Sequence, residues 1–147
     1  MARNLNVAVW LLCGTMTLAT ICESRPTYAY TIDPIENQTA VQIDAVDAGK
    51  QYQQGITAAA AGNFTQAISS FNRAITLNPQ YFAAYIERGN VKDGMGDFAG
   101  AIADYTTAIS IEPKSAIAYY NRATVLSKSN RHPAAIADYD KAVSIDP

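Results

Sequence analysis

Cysteine is nearly absent from this chain of 147 residues: Cys13 and Cys22 stand in its first stretch, and no thiol follows them. That excludes a disulfide framework and a thiolate metal site over the rest of the sequence. A domain built there must be held by packing, in either redox compartment. Histidine occurs once, as His132, and a single imidazole does not make the usual zinc site. Excess positive charge is missing too. Eleven Lys and Arg face thirteen Asp and Glu, a formal net charge of −2, which rules out a strong electrostatic case for nucleic acid. No serine lies in a Gly-x-Ser-x-Gly turn. Gly94-Met95-Gly96 falls between two helical stretches instead of after a strand, so it is no phosphate loop. Asp138 and Asp140 are two apart on a helix and point in different directions. The chain therefore offers no catalytic residue, no metal site and no cofactor site, and it reads as non-enzymatic.

Long apolar runs are limited to one. Val7 to Ile21 carries no charge and follows a start made positive by Arg3 and the amino terminus. The run is shorter than the ~20 residues a transmembrane helix needs. Residues 1–29 therefore read as a secretory signal peptide, with Thr27-Tyr28-Ala29 supplying small residues for a cut after Ala29. A cut after Ala19 is the earlier option. An uncleaved anchor is the competing reading, and polar Glu23 and Arg25 near the cleavage region count for it. Neither cysteine follows a small residue, so a lipoprotein site fails. Export implies a periplasmic or secreted protein with no membrane contact after cleavage. Residues 30–47 hold Pro34, Asn37 and several acids without a helical stripe. They read as a linker or irregular N-terminal cap, with at most a short helix over 40–46.

What the rest contains is repetition. Pro79, Pro113 and Pro147 are spaced by 34, and so are Ala67, Ala101 and Ala135. Around the alanines stand Ala67-Ile68-Ser69-Ser70-Phe71, Ala101-Ile102-Ala103-Asp104-Tyr105 and Ala135-Ile136-Ala137-Asp138-Tyr139. Ala74, Ala108 and Ala142 follow three residues on. Each copy splits into two helices. Gly62-Asn63, Gly96-Asp97 and Asn130-Arg131 mark the break, where a left-handed residue ends one helix and the next residue opens another. Pro133 suits an opening turn, and Ser115 can cap the helix after it. The prolines at 79, 113 and 147 stop the second helices. His132 stands where the other copies have Phe64 and Phe98, which favours an aromatic-like turn role over a catalytic one. Ala101, Ile102, Tyr105, Ala108 and Ile109 form one packing stripe, which stacked copies can bury and a single copy cannot.

The period and its landmarks resemble the tetratricopeptide repeat. Gly55, Ala67, Phe71, Ala74 and Pro79 carry the likeness in the first copy. Tyr85, Gly89, Ala101, Tyr105, Ala108 and Pro113 carry it in the second, and Tyr119, Ala123, Leu126, Ala135, Tyr139, Ala142 and Pro147 in the third. The resemblance implies an all-α, right-handed superhelix (an α-solenoid) of three tandem helix-turn-helix units over 48–81, 82–115 and 116–147. The departures are Gln51 at an aromatic position, Lys92 at an apolar one, and Arg88 and Arg122 where the family has leucine. Each arginine copy also carries an acid in its second helix, whereas the first copy has Gln54 and Ser70. This predicts the pairs Arg88–Asp104 and Arg122–Asp138, against independent solvation of both charges.

In such arrays the first helix of each unit lines a concave groove that holds a partner peptide. Carried over, the groove candidates are Tyr52, Gln53, Ile56, Ala59 and Ala60, then Ile86, Glu87, Asn90 and Asp93, then Ile117, Tyr120, Asn121, Thr124 and Lys128. Plain solvent exposure is the bland alternative for each. The family's clamp for a C-terminal carboxylate is not expected, since cations are sparse and Glu87 and Asp93 oppose an anion. The implied partner is a protein or peptide. Tyr139, Ala142, Val143 and Ile145 also predict an uncovered patch, hence a second reading as a self-assembling scaffold that forms homo-oligomers through its C-terminal end. A regulatory subunit for a secreted enzyme is a third.

Overall fold

The computed structural model describes residues 34–147, with side chains from residue 46 onward. The signal-peptide reading of residues 1–29 lies outside the described residues. Six α-helices follow in order: α1 Pro34–Ala60, α2 Phe64–Leu77, α3 Phe82–Gly94, α4 Phe98–Ile111, α5 Ala116–Lys128 and α6 His132–Ile145. Among the described residues there is no strand, and no helix is long and apolar enough to cross a membrane.

The helices pair as α1–α2, α3–α4 and α5–α6, and α2–α3 and α4–α5 contacts join the pairs into one stack. Local chemistry sets the breaks. Gly62 (φ +77°), Gly96 (φ +82°) and Asn130 (φ +60°) are left-handed, a state open to glycine and tolerated by asparagine. Each break closes the same way. The left-handed residue donates to a carbonyl three back, and its successor donates five back: Asn63 to Ala58 (2.8 Å), Asp97 to Lys92 (2.9 Å) and Arg131 to Leu126 (2.8 Å). Asp97 Oδ1 then caps α4 by accepting from the Gly100 amide at 2.9 Å, and Ser115 Oγ accepts from the Ala118 amide. Asn63 differs from the expectation, because it makes no side-chain cap bond and α2 opens on backbone bonds alone.

The first helix also differs. Residues 34–47, read as irregular chain, continue α1 toward the N-terminus. Pro34 occupies an opening turn that tolerates proline, and no glycine interrupts before Gly49.

The second helices form the spine of the core. Ala67, Phe71 and Ala74, then Ala101, Tyr105 and Ala108, are buried at about 1% exposure or less. Glycine sets how closely the two helices of a hairpin approach. A Cβ added at Gly55 would sit 2.5 Å from the Phe71 ring, and one at Gly89 would sit 2.7 Å from Tyr105. Truncating either ring would cost about 3–5 kcal/mol. Among the described residues two buried side-chain oxygens have no hydrogen-bond partner, Gln51 Oε1 in the first unit and Asp93 Oδ1 in the second.

Candidate functional site

Two arginines hold the units in register beneath the groove. Arg88 Nε donates to Asp104 Oδ2 at 2.9 Å, and its Nη2 donates to Oδ1. Arg122 makes the same fork to Asp138, at 2.7 and 2.8 Å. Asp138 holds the Arg122 guanidinium above its ordinary pKa. Both acids are buried, so each fork neutralises a charge that would otherwise be stranded. The paired charges expected from the sequence are thus present. Three contacts were not expected. Lys92 Nζ lies 2.9 Å from Asp104 Oδ2, so the polar residue at an apolar position has an acid to answer. Each arginine also reaches the preceding unit, Arg88 through Asn72 and Arg122 through Thr106. Their guanidinium carbons lie 5.4 and 5.7 Å from the ring centres of Tyr85 and Tyr119.

Most of the groove candidates fall into three groups. Asn90 is the centre of a polar chain: its Oδ1 accepts from Tyr105 Oη (2.8 Å) and Asn121 Nδ2 (3.3 Å), and its Nδ2 donates to Glu87 (3.2 Å). Burial, and then the carboxylates of Asp93, Glu87 and Asp104, push the Tyr105 hydroxyl well above the usual phenol range, so it stays protonated as the donor. Tyr52 joins this group. It is half-buried, with its ring 5.9 Å from Phe71 and 5.2 Å from Tyr81. Burial, then Glu87 and Tyr81, raise its hydroxyl.

A second group crosses from α3 to α5, where Lys128 Nζ meets Asp93 Oδ2 at 2.6 Å. The third is the outer end of α5. Ile117 and Tyr120 are each 56% exposed, and Tyr120 packs edge-on against Tyr139 at 5.6 Å. Thr124 Oγ1 lies 3.2 Å from Tyr139 Oη. Ile56 and Ala59 are half-buried against the Phe71 cluster, and Ala60 is exposed. Gln53 is exposed in a shallow hollow with Lys50, Thr57 and Asn63. Ile86 is a correction: it is 5% exposed and belongs to the core around Tyr105. It occupies the register of Tyr52 and Tyr120, but its unit has neighbours on both sides and its side chain is short enough for them to cover.

A family model described as tetratricopeptide repeat matches residues 52–91 and 86–147. The chain belongs to the tetratricopeptide-repeat family. Among solved structures, this TPR chain is similar to the Arabidopsis OM64 TPR domain, at 25% identity and a TM-score of 0.68, over 71% of this chain and 86% of that one. It is similar to MamA at 30% identity and a TM-score of 0.67, over 72% of this chain and 62% of that one. The fold also matches the second TPR domain of Spaghetti (RPAP3), solved with the HSP90 peptide SRMEEVD, at 18% identity and a TM-score of 0.72, over 77% and 97% of the two chains. No curated protein matches the chain.

Within this TPR array, sequence reasoning missed the tyrosine hydroxyls as groove residues. The signal was there, in two columns at the repeat spacing. Phe71 goes with Ile56, whereas Tyr105 goes with Asn90 and Tyr139 with Thr124. A hydroxyl appears where the facing first helix supplies a polar partner, and a bare ring appears where it supplies isoleucine.

Proposed function

We propose that this TPR array is a non-enzymatic interaction module that holds a peptide segment of a partner protein along α1, α3 and α5. The observation that carries the reading is the exposure of Ile117 and Tyr120, at 56% each, beside the amides of Asn90 and Asn121. Large apolar side chains at a rim, next to amides able to bond peptide groups, are what a peptide surface needs. TPR domains of the same fold, solved with an HSP90 peptide and as a complex with pHsp70, support the reading by analogy of fold. The positive start and apolar run before Ala29 support export to the periplasm or outside the cell, as a bacterial-type secreted TPR protein. Affinity capture with the wild type and a Tyr52→Ala/Tyr120→Ala variant tests the groove. A partner retained equally by both would refute it. Fractionation of cells making the full chain tests export, and an unshortened cytosolic product would sink that part.

One observation favours a second reading, self-assembly through α6. Ile136 and Val143 are 60% and 63% exposed, whereas Ile102 and Ile109, at the same register one unit earlier, pack against the core. Ala142, expected in this patch, is buried instead. Sedimentation over a wide concentration range decides it, and a single monomeric species throughout would remove this reading.

A further inference from the structure

The groove reading leaves open the charge of what is held. We infer that the segment docked there carries a lysine or arginine that seats on Glu87. This rests on the groove reading and deepens it.

Every other acid in or beneath the groove is neutralised within the molecule: Asp93 by Lys128, Asp104 by Arg88 and Lys92, and Asp138 by Arg122. Those same pairs consume the nearby cations. Lys128, the cation among the groove candidates, is bound to Asp93 and has none left for an anion. Glu87 makes no ion pair among the described residues. Glu87 is half-buried, and one carboxylate oxygen is steadied at 3.2 Å by Asn90 Nδ2. Asn90 is itself fixed by Tyr105 and Asn121. The acid is therefore oriented without being satisfied.

Its surroundings suit an organic cation. Burial and then Glu87 raise the Tyr52 hydroxyl, and the Tyr52 ring lies 5.2 Å from that of Tyr81, tilted by 37°. Aromatic faces beside a carboxylate take a guanidinium or ammonium by cation–π attraction together with the ion pair. An acidic segment would meet Glu87 head-on and would have to break the Lys128–Asp93 pair to find a cation.

The test is selection of random peptides on the full chain at physiological salt, with four variants. The expected result is enrichment of Lys or Arg at one peptide position on the wild type. That enrichment disappears with Glu87→Gln and turns to Asp or Glu with Glu87→Lys. Glu112→Gln, which removes the same charge from outside the groove, leaves it intact. A synthetic copy of the most enriched basic peptide should bind Glu87→Gln about fivefold more weakly, the scale of one partly exposed ion pair. Enrichment of acidic or neutral peptides that is still lost with Tyr120→Ala overturns the basic-residue inference and keeps the groove. Enrichment unaffected by Tyr120→Ala, or none at all, overturns both.

Discussion

Arg88→Gln removes one end of the fork beneath the groove and leaves Asp104 behind. Asp104 is 4% exposed, so it cannot turn to water, and it keeps only Lys92 of its two cations. Breaking a buried pair by removing one partner costs about 3–5 kcal/mol. The retained lysine offsets part of that, which brings the expected loss to about 2–3 kcal/mol. The reverse change, Asp104→Ser, strands Arg88 and Lys92, whose side chains are 16% and 20% exposed and can swing outward. That should cost less, about 1–2 kcal/mol. The double variant gives the second unit the Gln and Ser that the first already has as Gln54 and Ser70. It should lose less than the sum of the singles by at least about 1 kcal/mol. Urea unfolding followed by circular dichroism reads all three, with an unchanged slope required before midpoints are compared. Additive losses, or an Arg88→Gln variant within about 0.5 kcal/mol of the wild type, would refute the claim that this fork neutralises a buried charge.

Gly89→Ala places a methyl 2.7 Å from the Tyr105 ring and should destabilise by about 1–3 kcal/mol, read as a lower urea midpoint. Tyr105→Phe deletes the bond to Asn90 and leaves that amide short of a donor, at about 1 kcal/mol. Adding Asn90→Ile copies the Ile56–Phe71 pair of the first unit and should recover most of the loss, which thermal melting of the two variants checks. Stability should also fall at high pH. The folded Tyr105 hydroxyl sits above its unfolded value of about 10, so the unfolded chain gives up its proton first and gains as pH rises. Urea midpoints compared between about pH 9 and 11 should decline more steeply for the wild type than for Tyr105→Phe. Parallel declines would show that this phenol is not the cause.

The repeat, the helix breaks and the paired arginines were all written in the sequence, because each depends on residues at fixed short spacing. A left-handed glycine, a capping aspartate and an alanine stripe act within a turn or two of chain. Even the Arg88–Asp104 pair could be read by comparing copies, since charge entered both columns together. The groove was legible only in outline. Tyr52, Ile86 and Tyr120 share one register, yet the first is half-buried between rings, the second is in the core and the third stands in water. Nothing local distinguishes them. The difference comes from which neighbours flank each unit, and only the stacked helices supply those. The same holds for Lys92, which looks misplaced along its helix until Asp104 arrives from the next one, and for Glu87, which makes no ion pair among the described residues while Lys128 goes to Asp93 and Lys92 to Asp104. Period-34 spacing determined that helical hairpins would stack. Tertiary contact decided which side chains the stack would cover, because burial at a position is set by atoms that the chain brings there from other units.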